Sequence, residues 1–310
     1  MSAEIITLPA FAKINLGLRV LGRRADGYHE ISTVFQTITL HDRLTFQTRP
    51  DAHLELNCSD PEIPTDSSNL VLRAAVALRE RYGLRRGARV DLEKIVPAGG
   101  GLGGGSSDAA VTLVALASLW GIETDAHELT ELGARLGADV PFFLTGGTAL
   151  GTGTGTDIRP LEDVTKMHLV VVMPGVRVST ADAYKALGAR ALTKADTVAN
   201  LFVSHAEADF SDSLCDVMSN DFEAVVLRLH PEIGRARDAL TKAGAKRSML
   251  SGSGSGVFGV FESKGEAERA RGSLDAEAGW RVFACATLTR AEYLAAFGRS
   301  AAVLQSGRGA

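Results

Sequence analysis

The stretch Pro97-Ala98-Gly99-Gly100-Gly101-Leu102-Gly103-Gly104-Gly105-Ser106-Ser107 holds six glycines in eleven residues and closes on two hydroxyl side chains. A strand-like run, residues 88–96, precedes it, and a helix-like run, residues 107–120, follows it. Glycines leave consecutive backbone N–H groups free to turn toward one point. A helix start adds donors without partners and a partial positive charge. Residues 97–107, here called the glycine loop, therefore predict a phosphate-binding site.

Two common phosphate-binding motifs fit the glycine loop poorly. A Walker A loop requires a Lys directly after its glycines, and none follows here. The pattern Gly99-x-Gly101-x-x-Gly104 matches a dinucleotide fingerprint. That fold also needs an acidic residue about 20 positions on, at a strand end, whereas Glu123 and Asp125 begin a predicted helix. A plain turn would not need six glycines, because each adds to the entropy lost on folding. A dinucleotide-dependent oxidoreductase and a purely structural turn are both disfavoured.

The composition is that of a globular protein without a strong charge bias. The 310 residues are 45% hydrophobic and 23% charged, with a formal net charge of −4. This balance argues against a nucleic-acid partner, because such proteins usually carry a basic stripe. No apolar window approaches the ~20 residues of a membrane helix, and residues 1–9 do not resemble a signal peptide. We expect a cytoplasmic protein with no membrane partner.

The three cysteines, Cys58, Cys215 and Cys285, lie far apart in the sequence. They form no C-x-x-C pair, and the histidines show no metal-ligand spacing. Free thiols are typical of a reducing compartment. The sequence therefore predicts no dedicated metal site built from protein side chains.

Hydrophobic periodicity divides the chain into two halves near residue 160. The second half is predicted as strand, helices, two strands, helix and strand, which is consistent with a small α+β sandwich. The length fits two domains of roughly 150 residues each. We predict an N-terminal domain at residues 1–160 and a C-terminal domain at residues 161–298. The small, polar end, residues 299–310, is expected to be disordered.

Three polar side chains stand beside apolar residues. Lys13 and Asn15 fall on the face of a predicted strand opposite its apolar set. Taken alone, that position favours a solvated edge, and the alternative is a pair of polar groups in a cleft. Asp139 precedes the apolar run 140–143. It is either a cap or a carboxylate at the rim of the core that could act as a base.

Two further segments allow a structural and a functional interpretation. A second glycine run, residues 251–256, lies between two apolar strands. It is either a flexible hairpin or a loop that closes over a ligand. Tyr28 and His29 follow a turn at Asp26-Gly27. Such a pair usually packs on the surface, but it can also grip a planar ring.

Taken together, these segments resemble the GHMP kinase superfamily. Its motif P-x-x-x-G-L-G-S-S-A-A is matched, with an insertion, by residues 97–110. The ordered segments that carry the resemblance are Ala12-Lys13-Ile14-Asn15-Leu16, Arg24-Ala25-Asp26-Gly27-Tyr28-His29, the glycine loop, Gly137-Ala138-Asp139-Val140-Pro141 and Gly252-Ser253-Gly254-Ser255-Gly256. The R-x-D-G-Y-H and G-A-D-V-P segments together resemble the branch that phosphorylates a cytidylyl sugar alcohol. Homoserine and mevalonate kinases lack the R-x-D-G-Y-H segment.

The resemblance implies an α+β fold of two domains, one ribosomal-S5-like and N-terminal, the other a ferredoxin-like C-terminal sandwich. It implies ATP-dependent phosphorylation of the 2-hydroxyl of a methylerythritol cytidine diphosphate ester, in the non-mevalonate pathway to isoprenoid precursors. Asp139 would be the general base and Lys13 its partner, since a sugar hydroxyl is a poor nucleophile until a carboxylate takes its proton. A GHMP-fold sensor without turnover is the alternative, and loss of Lys13 or Asp139 would favour it.

The resemblance also implies the binding residues. The glycine loop would wrap the ATP phosphates, with Mg²⁺ bridging phosphate oxygens and Ser106 or Ser107 reaching the phosphates or the metal. The residues implied near adenine are Asn69, Leu70 and Lys94. The residues implied for the cytidylyl substrate are Asn15, Tyr28, His29 and Tyr184. Among these, His29 would hydrogen-bond the cytosine, and the two tyrosines would sandwich it.

Overall fold

The computed structural model describes residues 4–188, 215 and 218–305. Within these residues the strands are β1 (Ile5–Arg23), β2 (His29–Arg49), β3 (Leu54–Cys58), β4 (Gly87–Glu93), β5 (Thr148–Thr152), β6 (Asp157–Pro160), β7 (His168–Met173), β8 (Ser219–Asn220), β9 (Arg247–Leu250), β10 (Val257–Phe261) and β11 (Arg281–Ala286). The helices are α1 (Leu70–Tyr82), α2 (Gly104–Trp120), α3 (Ala126–Leu136), α4 (Val140–Phe143), α5 (Thr180–Leu187), α6 (Glu223–Leu229), α7 (Pro231–Lys242), α8 (Lys264–Leu274), α9 (Arg290–Ala295), a 3₁₀ turn (Gly298–Ala301) and α10 (Ala302–Gln305).

The first sheet is built on a long antiparallel hairpin of β1 and β2. Its order is β3-β4-β2-β1-β8, with β5 paired to β2 and β6 to β5. The register of the hairpin shifts between Phe11 and Lys13, and again between Asn15 and Gly17. Such irregularities bend a strand and re-aim its side chains. Both shifts flank the two polar residues that the sequence singled out on β1.

The second sheet is antiparallel and has the order β11-β7-β10-β9. Its strands and the helices α7 and α8 follow one another as β7, α7, β9, β10, α8 and β11, the split βαβ arrangement. On one face, Val170 and Val172 pack with α7 and α8. On the other face, Leu169 and Val171 pack with residues of β1 and β2. Burial on both faces explains why β7 is apolar throughout.

Helix α2 is the centre of the first core. Residues 107–117 are all buried, together with Trp120. Neighbouring helices α1, α3 and α4 share this core with one face of the first sheet. A helix that is buried on every side is apolar all round, and α2 carries the glycine loop at its start. The loop is therefore anchored in the most buried helix of this half.

The predicted elements agree with the structure, with differences at their ends. The pattern of residues 180–187 predicts a helix with the bounds that α5 has, and Asp125 accepts a hydrogen bond from the Glu128 backbone N–H, as the capping-box spacing of these two residues predicts. Strand β2 is continuous, whereas two strands, at residues 31–40 and 43–48, were expected. The predicted boundary at residue 160 falls between β6 and β7, and as a domain boundary it stays a prediction. No helix within the described ranges is long and apolar enough to cross a membrane.

The expectation of a disordered end is wrong for residues 299–305. These residues form the 3₁₀ turn and α10, and Ser300 and Leu304 are buried. Together with Tyr293 and Phe297, Leu304 belongs to the core around α2. A short segment that looks polar in sequence is ordered here because its few apolar side chains have a core to enter. Residues 306–310 lie outside the described residues.

Candidate active site

A cavity of about 1360 Å³ lies where the two halves of the chain meet. Its walls come from β1, from residues 23–31, from residues 134–139, from α5 and from both glycine-rich runs. Lys13 and Asp139 line it beside Gly101 and Gly252. The residues predicted for the cytidylyl group that also line it are Asn15, Tyr28, His29 and Tyr184. Residues far apart in sequence therefore share one wall of one cavity.

Lys13 and Asn15 lie in a cleft, so the solvated-edge interpretation is wrong. Lys13 is 3% exposed and Asn15 is 1% exposed. The Lys13 backbone N–H donates to the Leu102 carbonyl at 2.9 Å, so the glycine loop covers this face of β1. The Lys13 Nζ donates to Asn15 Oδ1 at 2.8 Å and lies 3.6 Å from Asp139 Oδ2. The ammonium is thus held between an amide and a carboxylate.

Further contacts fix the orientation of this pair. Asn15 Nδ2 donates to Thr33 Oγ1 at 2.7 Å, and that hydroxyl donates to the Gly17 carbonyl. The Lys13 Nζ also lies 5.3 Å from the centre of the Phe35 ring, a cation–π distance. A buried ammonium needs such partners, because desolvation alone would favour its neutral form.

The side chain of Asp139 does not cap a helix. It occupies the position before α4, but its side chain makes no capping hydrogen bond. The carboxylate is 32% exposed, in contrast with the Lys13 side chain at 4%. Burial raises the pKa of Tyr184 to about 12, and the charge of Asp139 adds to this shift. Asp139 therefore presents a carboxylate to the cavity with an ammonium beside it.

The two glycine-rich runs pack directly against each other. Gly99, Gly101 and Gly103 have φ angles of +76°, +73° and +72°, which glycine adopts readily. Ser251 Oγ donates to the Gly101 carbonyl at 3.0 Å. The Gly256 N–H donates to the Gly100 carbonyl at 3.1 Å. The second run thus packs against the glycine loop, and whether it closes over a ligand stays a prediction.

The helix start behind the loop has no side-chain cap. Gly103 is the capping residue of α2, and no side chain in the described part of the chain caps the first N–H groups. The hydroxyl of Ser107 is buried and has no hydrogen-bond partner among the described residues. Ser106 Oγ lies 3.8 Å from the position that a Cβ of Gly137 would take. Backbone donors and two hydroxyls therefore gather where a phosphate would lie.

The three residues predicted near adenine have different surroundings. Asn69 caps α1: its Oδ1 accepts from the Val71 N–H at 2.9 Å and its Nδ2 donates to the Pro64 carbonyl. Leu70 lies near the loop, with Cδ1 at 3.8 Å from a Cβ built on Gly105. The ammonium of Lys94 is buried and paired with Asp42 and Asp108, and its place near adenine stays a prediction.

Lys94 joins two carboxylates that sequence reasoning did not assign to the site. Its Nζ lies 2.5 Å from Asp42 Oδ2 and 2.8 Å from Asp108 Oδ2. All three side chains are at most 5% exposed. Asp108 stands in an otherwise small and apolar helix, and that single acidic residue was the only signal available in the sequence.

The aromatic residues stack in a way that differs from the prediction. The His29 and Tyr184 rings are stacked, with centroids 4.5 Å apart and planes at 21°. Phe222, which sequence reasoning missed, meets Tyr184 edge-on at 4.7 Å. Tyr28 is 67% exposed. His29 therefore covers one face of the Tyr184 ring, and the place of the cytosine stays a prediction.

Family models and known proteins with similar sequences or structures agree on one family. The model of the GHMP kinases N terminal domain matches residues 69–147, and that of the GHMP kinases C terminal matches residues 202–279. The 4-diphosphocytidyl-2-C-methyl-D-erythritol kinase of Prosthecochloris aestuarii is 43% identical over 274 residues, 88% of this chain and 95% of that protein.

Comparison with solved structures supports the same family and shows the same fold. A crystal structure of 4-(cytidine 5'-diphospho)-2C-methyl-D-erythritol kinase superposes with a TM-score of 0.74 at 36% identity, covering 91% of this chain and 99% of that one. The homoserine kinase of Cytophaga hutchinsonii reaches a TM-score of 0.72 at 18% identity, covering 93% and 96%, and shows the shared fold alone. The chain therefore has the two-domain GHMP kinase fold and belongs to the family of 4-diphosphocytidyl-2-C-methyl-D-erythritol kinases.

Proposed function

We propose that this kinase transfers the γ-phosphoryl group of ATP to the 2-hydroxyl of 4-diphosphocytidyl-2-C-methyl-D-erythritol. The observation that carries the proposal is the Lys13–Asp139 pair, 3.6 Å apart, on the wall of a cavity that reaches both the glycine loop and the aromatic residues. GHMP kinases use ATP as substrate. A carboxylate between the glycine loop and the aromatic residues of the cavity suits transfer of a phosphoryl group from one nucleotide to a substrate that itself carries a nucleotide.

In the proposed reaction Asp139 takes the proton of the substrate hydroxyl. The hydroxyl oxygen then bonds to the γ-phosphorus, the bond from that phosphorus to the bridging oxygen breaks, and ADP leaves with the electron pair. The ammonium of Lys13 pairs with this carboxylate at 3.6 Å. It also stabilises the negative charge that develops as the phosphoryl group moves.

The glycine loop is proposed to hold the ATP phosphates through backbone N–H groups at the start of α2. Mg²⁺ usually keeps several waters and takes one or two protein ligands beside substrate phosphates. The buried Ser107 hydroxyl, without a partner among the described residues, fits that role. When bound, Mg²⁺ would neutralise phosphate charge.

The cytidylyl end of the substrate is proposed to bind at Tyr28, His29 and Tyr184, with Asn15 nearer the reacting hydroxyl. Rings 4.5 Å apart leave no space for a third ring between them. A base that stacks on the face of Tyr184 now covered by His29 therefore requires the His29 ring to leave that face on binding. His29 can then offer a ring nitrogen to the base.

A coupled assay of ADP release tests the proposal. We expect turnover with the cytidylyl methylerythritol substrate, and none with homoserine or mevalonate. Identification of the product by mass spectrometry and phosphorus NMR would place the new phosphate on the 2-hydroxyl. Turnover that depends on homoserine or mevalonate would overturn the assignment of substrate, and absence of ADP release with all three would overturn the proposed reaction.

A further inference from the structure

Three charged side chains lie buried behind the glycine loop. The Lys94 Nζ is bonded to Asp42 Oδ2 at 2.5 Å and to Asp108 Oδ2 at 2.8 Å. The side chains are 5%, 0% and 4% exposed for Lys94, Asp42 and Asp108. None of the three lines the cavity that holds Lys13 and Asp139. This triad therefore does not touch a substrate in that cavity, yet it places three ionisable groups in the protein interior.

The triad connects the two ends of the glycine loop. Asp42 Oδ1 accepts hydrogen bonds from the Ile95 N–H at 2.5 Å and the Val96 N–H at 2.7 Å, the residues that lead into the loop. Asp108 lies in the second turn of α2, the helix that leads out of it. Lys94 spans the gap between these two ends. A Cβ built on Gly104 would lie 3.0 Å from Lys94 Nζ, so the ammonium sits directly beneath the helix start.

Stability alone does not explain such a group. Buried ion pairs often contribute little net stability compared with apolar residues of similar size, because desolvation offsets their attraction. Burial is the main cause that raises the pKa of Asp108 to about 7. Burial would lower the pKa of Lys94, but the two carboxylates outweigh it and raise that pKa. Asp108 Oδ1 has no hydrogen-bond partner among the described residues, so Lys94 is its described link to the loop entry. Such geometric links are retained where a position must be specified.

We propose that Asp42, Lys94 and Asp108 are positioning residues that set the distance between the two ends of the glycine loop, and thereby the fit of its N–H groups to the ATP phosphates. The inference rests on the proposed binding of ATP at this loop. A loop whose ends can drift would lose the alignment of several donors at once, since backbone N–H groups at an anion site act together. Affinity for ATP should therefore fall, whereas affinity for the second substrate, bound at the aromatic wall, should not.

The double variant Lys94→Met/Asp108→Leu tests this inference. It removes the bridge with apolar residues of similar size and keeps Asp42 on the Ile95 and Val96 N–H groups. Calorimetric titration of the full chain with ATP in Mg²⁺ buffer should show a Kd raised by about tenfold or more. The KM of the cytidylyl substrate should stay within about twofold, because distant sites behave independently. Amide hydrogen exchange in residues 98–107 should rise by about tenfold.

Two further variants separate positioning from a general structural role. Asp108→Asn keeps an oxygen for Lys94 and should retain ATP affinity within about threefold, whereas Asp108→Leu should not. The matched control is Arg89→Met/Asp91→Leu, an exposed pair 3.1 Å apart on β4, which should change neither constant. The comparison of Asp108→Asn with Asp108→Leu decides the question if the double variant does not fold.

Three results would overturn the inference. One is unchanged ATP affinity in a folded Lys94→Met/Asp108→Leu chain, and another is an equal rise in the constants for both substrates. The third is equal ATP affinity in Asp108→Asn and Asp108→Leu. A wild-type chain that turns over its substrate and binds ATP, combined with any of these, leaves the proposed function standing. A wild-type chain that binds no ATP overturns both.

Discussion

Asp139 is the residue on which the proposed chemistry depends. Replacing it with Asn keeps the shape but removes the proton acceptor, so kcat should fall by about 10² to 10⁴. Titration with ATP should show nearly unchanged affinity, because the glycine loop is intact. Asp238→Asn changes an exposed carboxylate paired with Arg237 and serves as the control. Near-normal kcat in Asp139→Asn would rule out this residue as the base.

Replacement of His29 should weaken binding of the cytidylyl substrate but not binding of ATP. His29→Ala removes the ring that stacks on Tyr184 and the nitrogen proposed to meet cytosine. The KM of the cytidylyl substrate should rise about tenfold, the value of one or two lost polar and ring contacts, while the KM of ATP stays unchanged. His127→Ala, at an exposed position in α3, is the control. Equal losses for both substrates in steady-state assays would contradict the local role of His29.

The residues of the site were only partly predictable. Lys13 and Asp139 are 126 positions apart, and their spacing in sequence carries no signal of contact; the family motifs supplied it. The burial of Lys13 was missed because strand alternation assigns a face but not what covers that face, which here is the glycine loop. The triad was missed for a similar reason, since Asp42 lies on the distant β2.

Among the elements, the glycine loop offers a matched pair of substitutions. Gly99 and Gly101 have nearly the same φ, but a Cβ at Gly99 meets nothing within 4 Å, whereas one at Gly101 would lie 2.1 Å from the Ser251 carbonyl oxygen. Gly99→Ala should lower the free energy of unfolding by about 1 to 2 kcal/mol through backbone strain alone. Gly101→Ala should lower it by about 1 to 3 kcal/mol more, since the backbone must move. Equal losses in urea unfolding would contradict the packing of the two glycine runs.

Helix α9 begins with a capping box whose strength should depend on pH. Hydrogen bonds from the Thr289 N–H and hydroxyl hold the pKa of Glu292 below its ordinary value. A lowered pKa stabilises the fold at pH above the unfolded value near 4.5, and this contribution is lost as the pH falls through the folded value. The difference in stability between wild type and Glu292→Gln should therefore be present at pH 7 and shrink below about pH 4. In a Thr289→Ala background, thermal unfolding should show a smaller pH-dependent difference, because the hydroxyl bond is lost while the backbone N–H of residue 289 still donates to Glu292.

Helices and strands with clear periodicity or caps were predictable, as α5 and the Asp125 cap of α3 illustrate. The start of α2 was predicted three residues late, because glycine has a low helix propensity. Gly104 and Gly105 are helical here because the rest of α2 is buried and holds them. The role of residues 251–256 was not predictable, since a glycine run fits a free hairpin and a packed one equally well.

At the scale of the whole molecule, residues 288–305 bind the far end of the chain to the first core. Tyr293 OH donates to the Phe143 carbonyl at the end of α4, the helix that follows Asp139. Leu304 is 3% exposed, so Leu304→Ala should lower the free energy of unfolding by about 2 to 5 kcal/mol. Gln305→Ala, at the exposed neighbouring position, should change it by less than about 0.5 kcal/mol. Equal stability of the two variants in denaturant titrations would contradict this packing.

The α+β architecture of the two halves could be predicted from hydrophobic periodicity and from the family resemblance. The packing of residues 299–305 could not. Composition suggested disorder after residue 298, because few apolar residues remain there. Whether three or four apolar side chains are enough to order a segment depends on the surface against which they pack. That surface is formed by α2 and its neighbours, and α2 itself lies about 180 to 200 residues earlier in the chain.

This late packing has a consequence for biosynthesis. A ribosome releases the residues of α2 and α4 long before it makes Tyr293, Phe297 and Leu304. The first core therefore stays open on one side until these residues have left the ribosome, with apolar surface that a chaperone can recognise. Closure of that core and bracing of the Asp139 helix happen together, after residue 305 has left the exit tunnel. A chain that has not reached residue 305 thus lacks the support of the helix that follows its proposed base.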